Sequence, residues 1–206
     1  MPRLPNAPSM PRPRPSRASD FDGWLALAAE VEPLFGPMVR EAAFHAALRE
    51  AIADARAYCI DHQEGGLAGG IVISRGDNRI DWLAVSARAR GRGLGASLLG
   101  AALSRLDPAR PVTVQTFDAG TEEGLPARNL YRRHGFVDGN PCGPTPAGIP
   151  TVTMARPPEP GSGEFHPALQ PVDEERPDGA PRELGRELPQ DDERQEGPER
   201  EAGEEG

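Results

Sequence analysis

Gly91, Gly93 and Gly95 alternate with Arg90, Arg92 and Leu94 in one short stretch of the chain. Glycine lets a ligand approach the backbone with no Cβ in the way and tolerates φ > 0, and guanidinium groups add fixed positive charge. The flanks sharpen the picture. Residues 80–85 (IDWLAV) read as a strand, rich in β-branched and bulky side chains with no turn former. From Gly93 onward Leu94, Leu98, Ala102 and Leu106 recur every fourth residue, and Leu99 and Leu103 widen the apolar stripe of a helix. A helix start leaves backbone N–H groups without internal partners and carries about half a positive charge. A strand, a glycine loop and a helix start in series therefore form a nest for an anion, with pyrophosphate the natural guest. A tight turn alone accounts for a glycine pair; three glycines with two arginines favour the anion.

The spacing excludes two common phosphate loops. Gly-x-Gly-x-Gly followed by Ala96 misses the Gly-x-Gly-x-x-Gly of dinucleotide folds. A P-loop needs a lysine, and all 23 basic residues are arginine. What does fit is Arg-x-x-Gly-x-Gly at Arg90, Gly93 and Gly95. Downstream, 126–136 (PARNLYRRHGF) places Tyr131 on a short helix that ends in Gly135-Phe136. These two stretches, in this order, resemble the signatures of the GNAT (GCN5-related N-acetyltransferase) family, and the resemblance covers residues 20–156.

That resemblance implies an α/β fold: a mixed, mostly antiparallel twisted sheet flanked by helices, with a central parallel strand pair splayed to admit acetyl-CoA. It implies that Arg90, Gly91, Arg92, Gly93, Leu94 and Gly95 grip the pyrophosphate of acetyl-CoA, and that the backbone of Leu83, Ala84 and Val85 holds the pantetheine arm. A backbone N–H from this strand, that of Leu83, would polarise the thioester carbonyl. The implied activity is transfer of the acetyl group to a primary amine by direct attack, with acetyl-CoA as cosubstrate and no metal.

Tyr131 matches the family's tyrosine and is the candidate general acid. A phenol titrates near ~10 and a thiol near ~8.5, so the proton transfer needs help from position and field. The competing reading is an aromatic core residue. Asp81 is the candidate base: period-two alternation puts it on the strand face of Leu83 and Val85, where a carboxylate could take the amine's proton directly or through water. It is equally readable as a solvent-facing hairpin residue. Asn129 departs from the usual arrangement, in which an Asn lies earlier in the segment, and is a weaker candidate for cofactor contact. His134 reads as a helix C-terminal residue favoured by the dipole, His45 as a partly exposed residue of the second helix, and His62 as solvated in a turn. Cys59 reads as a small buried hydrophobe and Cys142 as a loop residue without a catalytic role.

Other elements must position these groups. Asp20 is a candidate cap for a helix through Trp24, Leu25, Leu27 and Ala28, with Pro33 and Gly36-Pro37 breaking it. A second helix carries Phe44, Leu48 and Ile52 one turn apart. Strands follow at 57–61 and 67–74, the latter forming a hairpin with 79–85 across the turn 75–78. Residues 112–117 (VTVQTF) are a clean strand, parallel to 80–85 across a right-handed β-α-β crossover. The helix 126–134 stops at Gly135, and 136–137 and 151–156 supply the last strands. The Pro/Gly-rich linker 138–150 is expected to fold over the acceptor side.

The chain divides into a Pro/Arg-rich leader (1–18), an acetyltransferase domain (19–156) and an acidic tail (157–206), with both ends expected to be disordered on composition. The leader is a poor source for the strand that opens the family's fold. Either that strand is missing, leaving a sheet edge that favours a homodimer, or it is short and irregular. Formal charge is −9 overall. Residues 157–206 hold 16 acids and 5 arginines, a balance of −11, whereas 1–156 hold 16 acids and 18 arginines, a balance of +2. The near-neutral folded part gives no nucleic-acid footprint. No apolar run is long enough for a membrane span. Two lone cysteines fit a reducing cytoplasm. The function implied is therefore an N-acetyltransferase acting on a small-molecule or peptide amine. The alternatives are a non-catalytic acyl-CoA-binding module and an interaction protein working through its acidic tail.

Overall fold

In the computed structural model, residues 11–159 are described. They form a seven-stranded sheet of order β1-β2-β3-β4-β5-β7-β6. The strands are β1 (Arg14–Pro15), β2 (Ala57–Asp61), β3 (Leu67–Ser74), β4 (Arg79–Val85), β5 (Val112–Phe117), β6 (Val137–Cys142) and β7 (Thr151–Arg156). The helices are α1 (Phe21–Phe35), α2 (Ala42–Ala53), α3 (Leu94–Leu103) and α4 (Leu125–Arg133). Every strand pair is antiparallel except β4–β5, so the sheet is mixed with a central parallel pair, as the resemblance implied. No helix among the described residues is long and apolar enough to cross a membrane.

Two layers of helix cover the sheet because its strands carry apolar side chains on both faces. One face packs Ile71, Ile73, Ile80, Leu94, Leu98, Leu99, Val114, Tyr131 and Met154 around α3 and α4. The other packs Trp24, Leu48, Ala57 and Cys59 against α1 and α2, continued by Leu27, Val31, Met38 and Ala84. The glycine pair in β3 serves this contact. A Cβ at Gly70 would lie 2.5 Å from the Trp24 ring, and one at Gly69 would meet Leu98 at 3.0 Å. Only a bare backbone lets helices press so closely on both faces.

The first strand is present but two residues long, so the short, irregular alternative holds. Arg14 and Pro15 pair with Cys59 and Tyr58, and the leader's expected disorder does not extend to them; residues 1–10 lie outside the described residues. Electrostatics holds this edge. Arg14 bridges Asp20 at 2.7 Å and also pairs with Asp61, and Trp24 Nε1 donates to the buried Ser16 hydroxyl at 3.1 Å. Asp20 consequently does not cap α1: its carboxylate accepts from Arg14 and from the Arg17 amide at 2.7 Å. The guanidinium beside it holds Asp20 down to about 2.

Pro33 does not break α1. The helix runs past it to Phe35 and closes with Gly36 N–H donating to Glu32 O at 2.8 Å. Strand β6 is longer than expected, running to Cys142 through a register shift between Asp138 and Pro141. The acidic tail beyond residue 159 lies outside the described residues.

Candidate functional site

The site begins where two strands part. β4 and β5 pair only at Arg79↔Thr113 and Ile80↔Val114, so from residues 81 to 85 β4 has no strand partner on its β5 side. β3 covers the other edge throughout, up to Gly69↔Val85. The result is a gap between the two strands, a cleft with Leu83, Ala84 and Val85 along one wall. A slot of this kind takes an extended chain that hydrogen-bonds strand backbone.

At the open end β4 runs through Ser86 and a short 3-10 turn (Ala87–Ala89) into the glycine loop and α3. Gly91 and Gly93 are both left-handed, with φ of +75° and +76°, a conformation that disfavours any side chain with a Cβ. Gly93 is the N-cap of α3 and no side chain caps the helix. Within the helix the first backbone donation is Ser97 N–H to Gly93 O at 3.0 Å, leaving the amides of Gly93, Leu94, Gly95 and Ala96 without intrahelical acceptors. Space above Gly91 is open for a Cβ and for a ligand. These features fit a pyrophosphate group: free amides, a helix N-terminus, two bare backbone positions and the exposed Arg92.

Two loop residues have other jobs. A Cβ at Gly95 would stand 3.1 Å from Leu130, so this glycine serves the packing of α3 on α4. Arg90 Nε donates to Val85 O at 3.2 Å, tying the loop back to the end of β4.

Asp81 occupies an irregular position. Val72 pairs with Trp82 while the next residue, Ile73, pairs with Ile80, so Asp81 is the extra residue of a β-bulge. Strict alternation, the premise that put Asp81 on the face of Leu83 and Val85, does not hold through it. Ile80 and Leu83, three apart, both pack on the α3 side. The Asp81 carboxylate accepts from Arg79 Nε at 2.7 Å.

Tyr131 is buried in the α3–α4 cluster, its ring 5.4 Å from that of Phe136. Burial pushes its phenol well above the ordinary range, and its hydroxyl makes no hydrogen bond among the described residues. Asn129 is exposed on the same helix, and His134 Nδ1 bonds Leu130 O at 2.9 Å near the helix end.

The opposite face of the cleft is bounded by the end of α1, the α1–α2 connection and the segment 143–150. Glu32 accepts from the amides of Met38 and Val39, each at 2.7 Å, and these donors lower its pKa. His45 closes the same turn by bonding Val39 O at 2.7 Å. Thr145 donates to Leu34 O at 3.1 Å, which brings the segment 143–150 onto the end of α1; residues 138–142 of the expected linker belong to β6. The rings of Phe35 and Phe117 lie 4.9 Å apart across this side, and Trp82 joins the same apolar cluster with its indole N–H buried and unpartnered. Nothing in the sequence marks Glu32, Phe35 or Trp82, because their partners come from distant segments.

Two concavities lie elsewhere among the described residues. A groove of about 620 Å³ runs between the turn at Ala18–Asp20 and α2, lined by Arg17, Phe21 and Arg49 among others, and contains no residue of the cleft or the glycine loop. A smaller one of about 250 Å³ is lined by Asp118, Arg128, Asp138 and Cys142. Arg128 is 2% exposed, donating to Phe117 O at 3.0 Å and to Asp138 at 2.8 Å; it ties α4 to β5 and β6. The cleft, an open slot between strands, is the better fit to the loop chemistry than either concavity.

Comparison with known proteins adds an independent line. A family model described as an acetyltransferase (GNAT) domain matches residues 34–156. No curated protein matches the sequence. Among solved structures, a GNAT-family acetyltransferase from Bacillus cereus is 15% identical with a TM-score of 0.57, over 72% of this chain and 98% of that one. A GNAT-superfamily phosphinothricin acetyltransferase from Sinorhizobium meliloti, solved in complex with AcCoA, is 17% identical with a TM-score of 0.57, over 80% and 96%. A ribosomal-protein-alanine N-acetyltransferase from Brucella melitensis is 17% identical with a TM-score of 0.54, over 70% and 98%. At these identities the structural likenesses speak for the fold alone.

Proposed function

Since the chain belongs to the GNAT acetyltransferase family, we propose that it is an acetyl-CoA-dependent N-acetyltransferase acting on a primary amine. One observation carries this reading: the uncapped start of α3, with Gly91 and Gly93 left-handed, follows closely on the stretch of β4 that has no β5 partner. Phosphate recognition and a slot for an extended arm are thereby contiguous. Acetyl-CoA supplies the activated acetyl group.

The chain's residues divide the remaining work. The amides at 93–96 and Arg92 bind the pyrophosphate, and the backbone of 83–85 orients the arm. An amide of β4, that of Leu83, polarises the thioester carbonyl; one such donor is worth about 10²–10³ in rate in other acyl-transfer enzymes. Tyr131 is protonated at neutral pH, as an ordinary phenol is, and burial shifts it further the same way. A phenol above ~10 is a weaker acid than a thiol at ~8.5, so its O–H acts first as a hydrogen-bond donor to the leaving sulfur. Asp81 accepts the amine's proton through water from its place on the bulge. The acceptor approaches from the Phe35–Phe117 side, as a small amine or a peptide amino group.

The test is thermal unfolding of the purified protein with and without acetyl-CoA, followed by an amine screen that monitors thiol release. Ligand at about 100 times its dissociation constant adds roughly 2.7 kcal/mol of stability. A folded protein that shows no shift would overturn the proposal. A non-catalytic acyl-CoA-binding module is the reading that the burial of Tyr131 favours; it predicts the shift without turnover on any amine.

A further inference from the structure

Between the end of β4 and the glycine loop lie four residues whose conformation decides where the loop points. Ser86 is 1% exposed and Ala89 likewise. Ser86 N–H donates to Ala68 O at 2.9 Å, and Ala89 N–H to Ser86 O at 2.9 Å. Those bonds fix one side of the turn. The other side is held from a different element. Glu30, on α1, accepts from the Ser86 hydroxyl at 2.9 Å through Oε1 and from the Ala87 amide at 2.8 Å through Oε2.

The chemistry is specific. At the start of a helical turn a serine ordinarily caps with its own oxygen, yet Ser86 makes no side-chain cap here. Its hydroxyl is spent as a donor to Glu30, and the same carboxylate takes the amide of Ala87, the first residue of the turn. Both bonds are charge-assisted, the stronger class, and they join positions 56 and 57 residues apart in sequence. The same helix closes the acceptor-side turn through Glu32, two residues further on. α1 is thus the strut between the two mouths of the cleft.

We propose that Glu30 is a positioning residue for the phosphate loop: its carboxylate locks the Ser86–Ala87 peptide and thereby presents the amides at 91–96 to the pyrophosphate of acetyl-CoA. The inference rests on the proposed cosubstrate. It predicts an effect confined to ligands that carry the pyrophosphate, since the β4 backbone that holds the arm is fixed independently by its pairing with β3.

The experiment uses the full chain as wild type, Glu30→Ala, Glu30→Gln and Ser86→Ala. Calorimetry measures the affinity for acetyl-CoA and for S-acetylpantetheine, which has the thioester arm but no pyrophosphate. Glu30→Ala should weaken acetyl-CoA binding by about tenfold, as loss of charged hydrogen bonds to a loop amide requires, and leave S-acetylpantetheine unchanged. Glu30→Gln keeps one acceptor oxygen for two donors and should fall between. Amide hydrogen exchange at 87–92 should accelerate in Glu30→Ala while exchange in β3 stays slow. Unaltered acetyl-CoA affinity in a folded Glu30 variant would overturn the inference, as would an equal loss for both ligands. If Glu30→Ala does not fold, Glu30→Gln and Ser86→Ala decide by the same criteria. Wild-type protein that binds neither ligand would overturn the proposed function and this inference with it, whereas wild-type binding with indifferent variants overturns this inference alone.

Discussion

At one end of the β4–β5 cleft Asn78 is fully buried. Its side-chain amide reaches the carbonyls of Asp107, Arg110 and Pro111 at 3.0–3.2 Å, its Oδ1 accepts from Asp107 N–H at 2.8 Å, and its own carbonyl accepts from Thr113 N–H. At the other end, about five residues along β4, the strands have separated and the first amides of α3 have no intrahelical partner. Both ends place residues at positive φ, Asn78 at +50° and Gly91 and Gly93 near +75°. The chemistry differs. Asparagine tolerates the left-handed region and uses its side chain to satisfy a closed turn; glycine brings no side chain and leaves the backbone bare. A buried polar group left unmatched destabilises the fold, so the end that must hold is saturated, and the end that must bind keeps its donors exposed to solvent.

Breaking each end separately should give different failures. Asn78→Ala has the largest expected effect, a loss of about 3 kcal/mol in unfolding free energy, because several buried groups lose partners and a non-glycine, non-asparagine residue is forced to positive φ. A urea titration measures this, and acetyl-CoA affinity of the folded fraction should change little. Gly93→Asp should act the other way round. A side chain and a negative charge at the phosphate position should weaken acetyl-CoA at least about a hundredfold, roughly 2.7 kcal/mol, while the positive φ at position 93 costs a smaller loss of ligand-free stability, about 1 kcal/mol. Unchanged affinity would remove the loop from the site.

Tyr131→Phe sharpens the comparison within the open end. The lost hydroxyl makes no protein hydrogen bond among the described residues, so stability should hold while kcat falls by about tenfold to a hundredfold; an unaltered rate would make Tyr131 purely a core residue. The smallest effect is expected far from both ends. Asp20→Asn at the β1 edge should lower stability at neutral pH by about 1 kcal/mol and leave ligand affinity alone. The sign follows from a depressed folded-state pKa: the stabilisation is present above the ordinary 3.8 and is lost as pH falls towards about 2. Urea midpoints measured down that range should converge for wild type and variant.

The strand–loop–helix unit and the α4 segment were legible because each is local. Period-two and period-four patterns, three glycines and the Gly135 stop all fall within a few residues of what they specify. Elements that depend on distant partners were not. Pro33 looks like a break in isolation, yet α1 continues two residues past it and is fastened at its end by Glu32. Asp20 looks like a cap and is drawn off by Arg14, whose strand forms only once β2 is present to receive it. The Asp81 bulge is invisible to alternation, since it is defined by the count of residues opposite it on β3.

The amino-acid order by itself determined the succession of strands and helices from β2 to β7, the anion character of 90–95 and the family to which the pattern belongs, since local conformational preference and spacing carry that information. Tertiary structure alone decided how far β4 and β5 run together, where the bulge sits, that Gly95 packs on Leu130 while Gly91 faces open space, and that Glu30 reaches across 56 residues to the turn before the loop. The physical reason is that burial and hydrogen-bond partnership are properties of pairs, and the partners lie far apart along the chain until the fold brings them together.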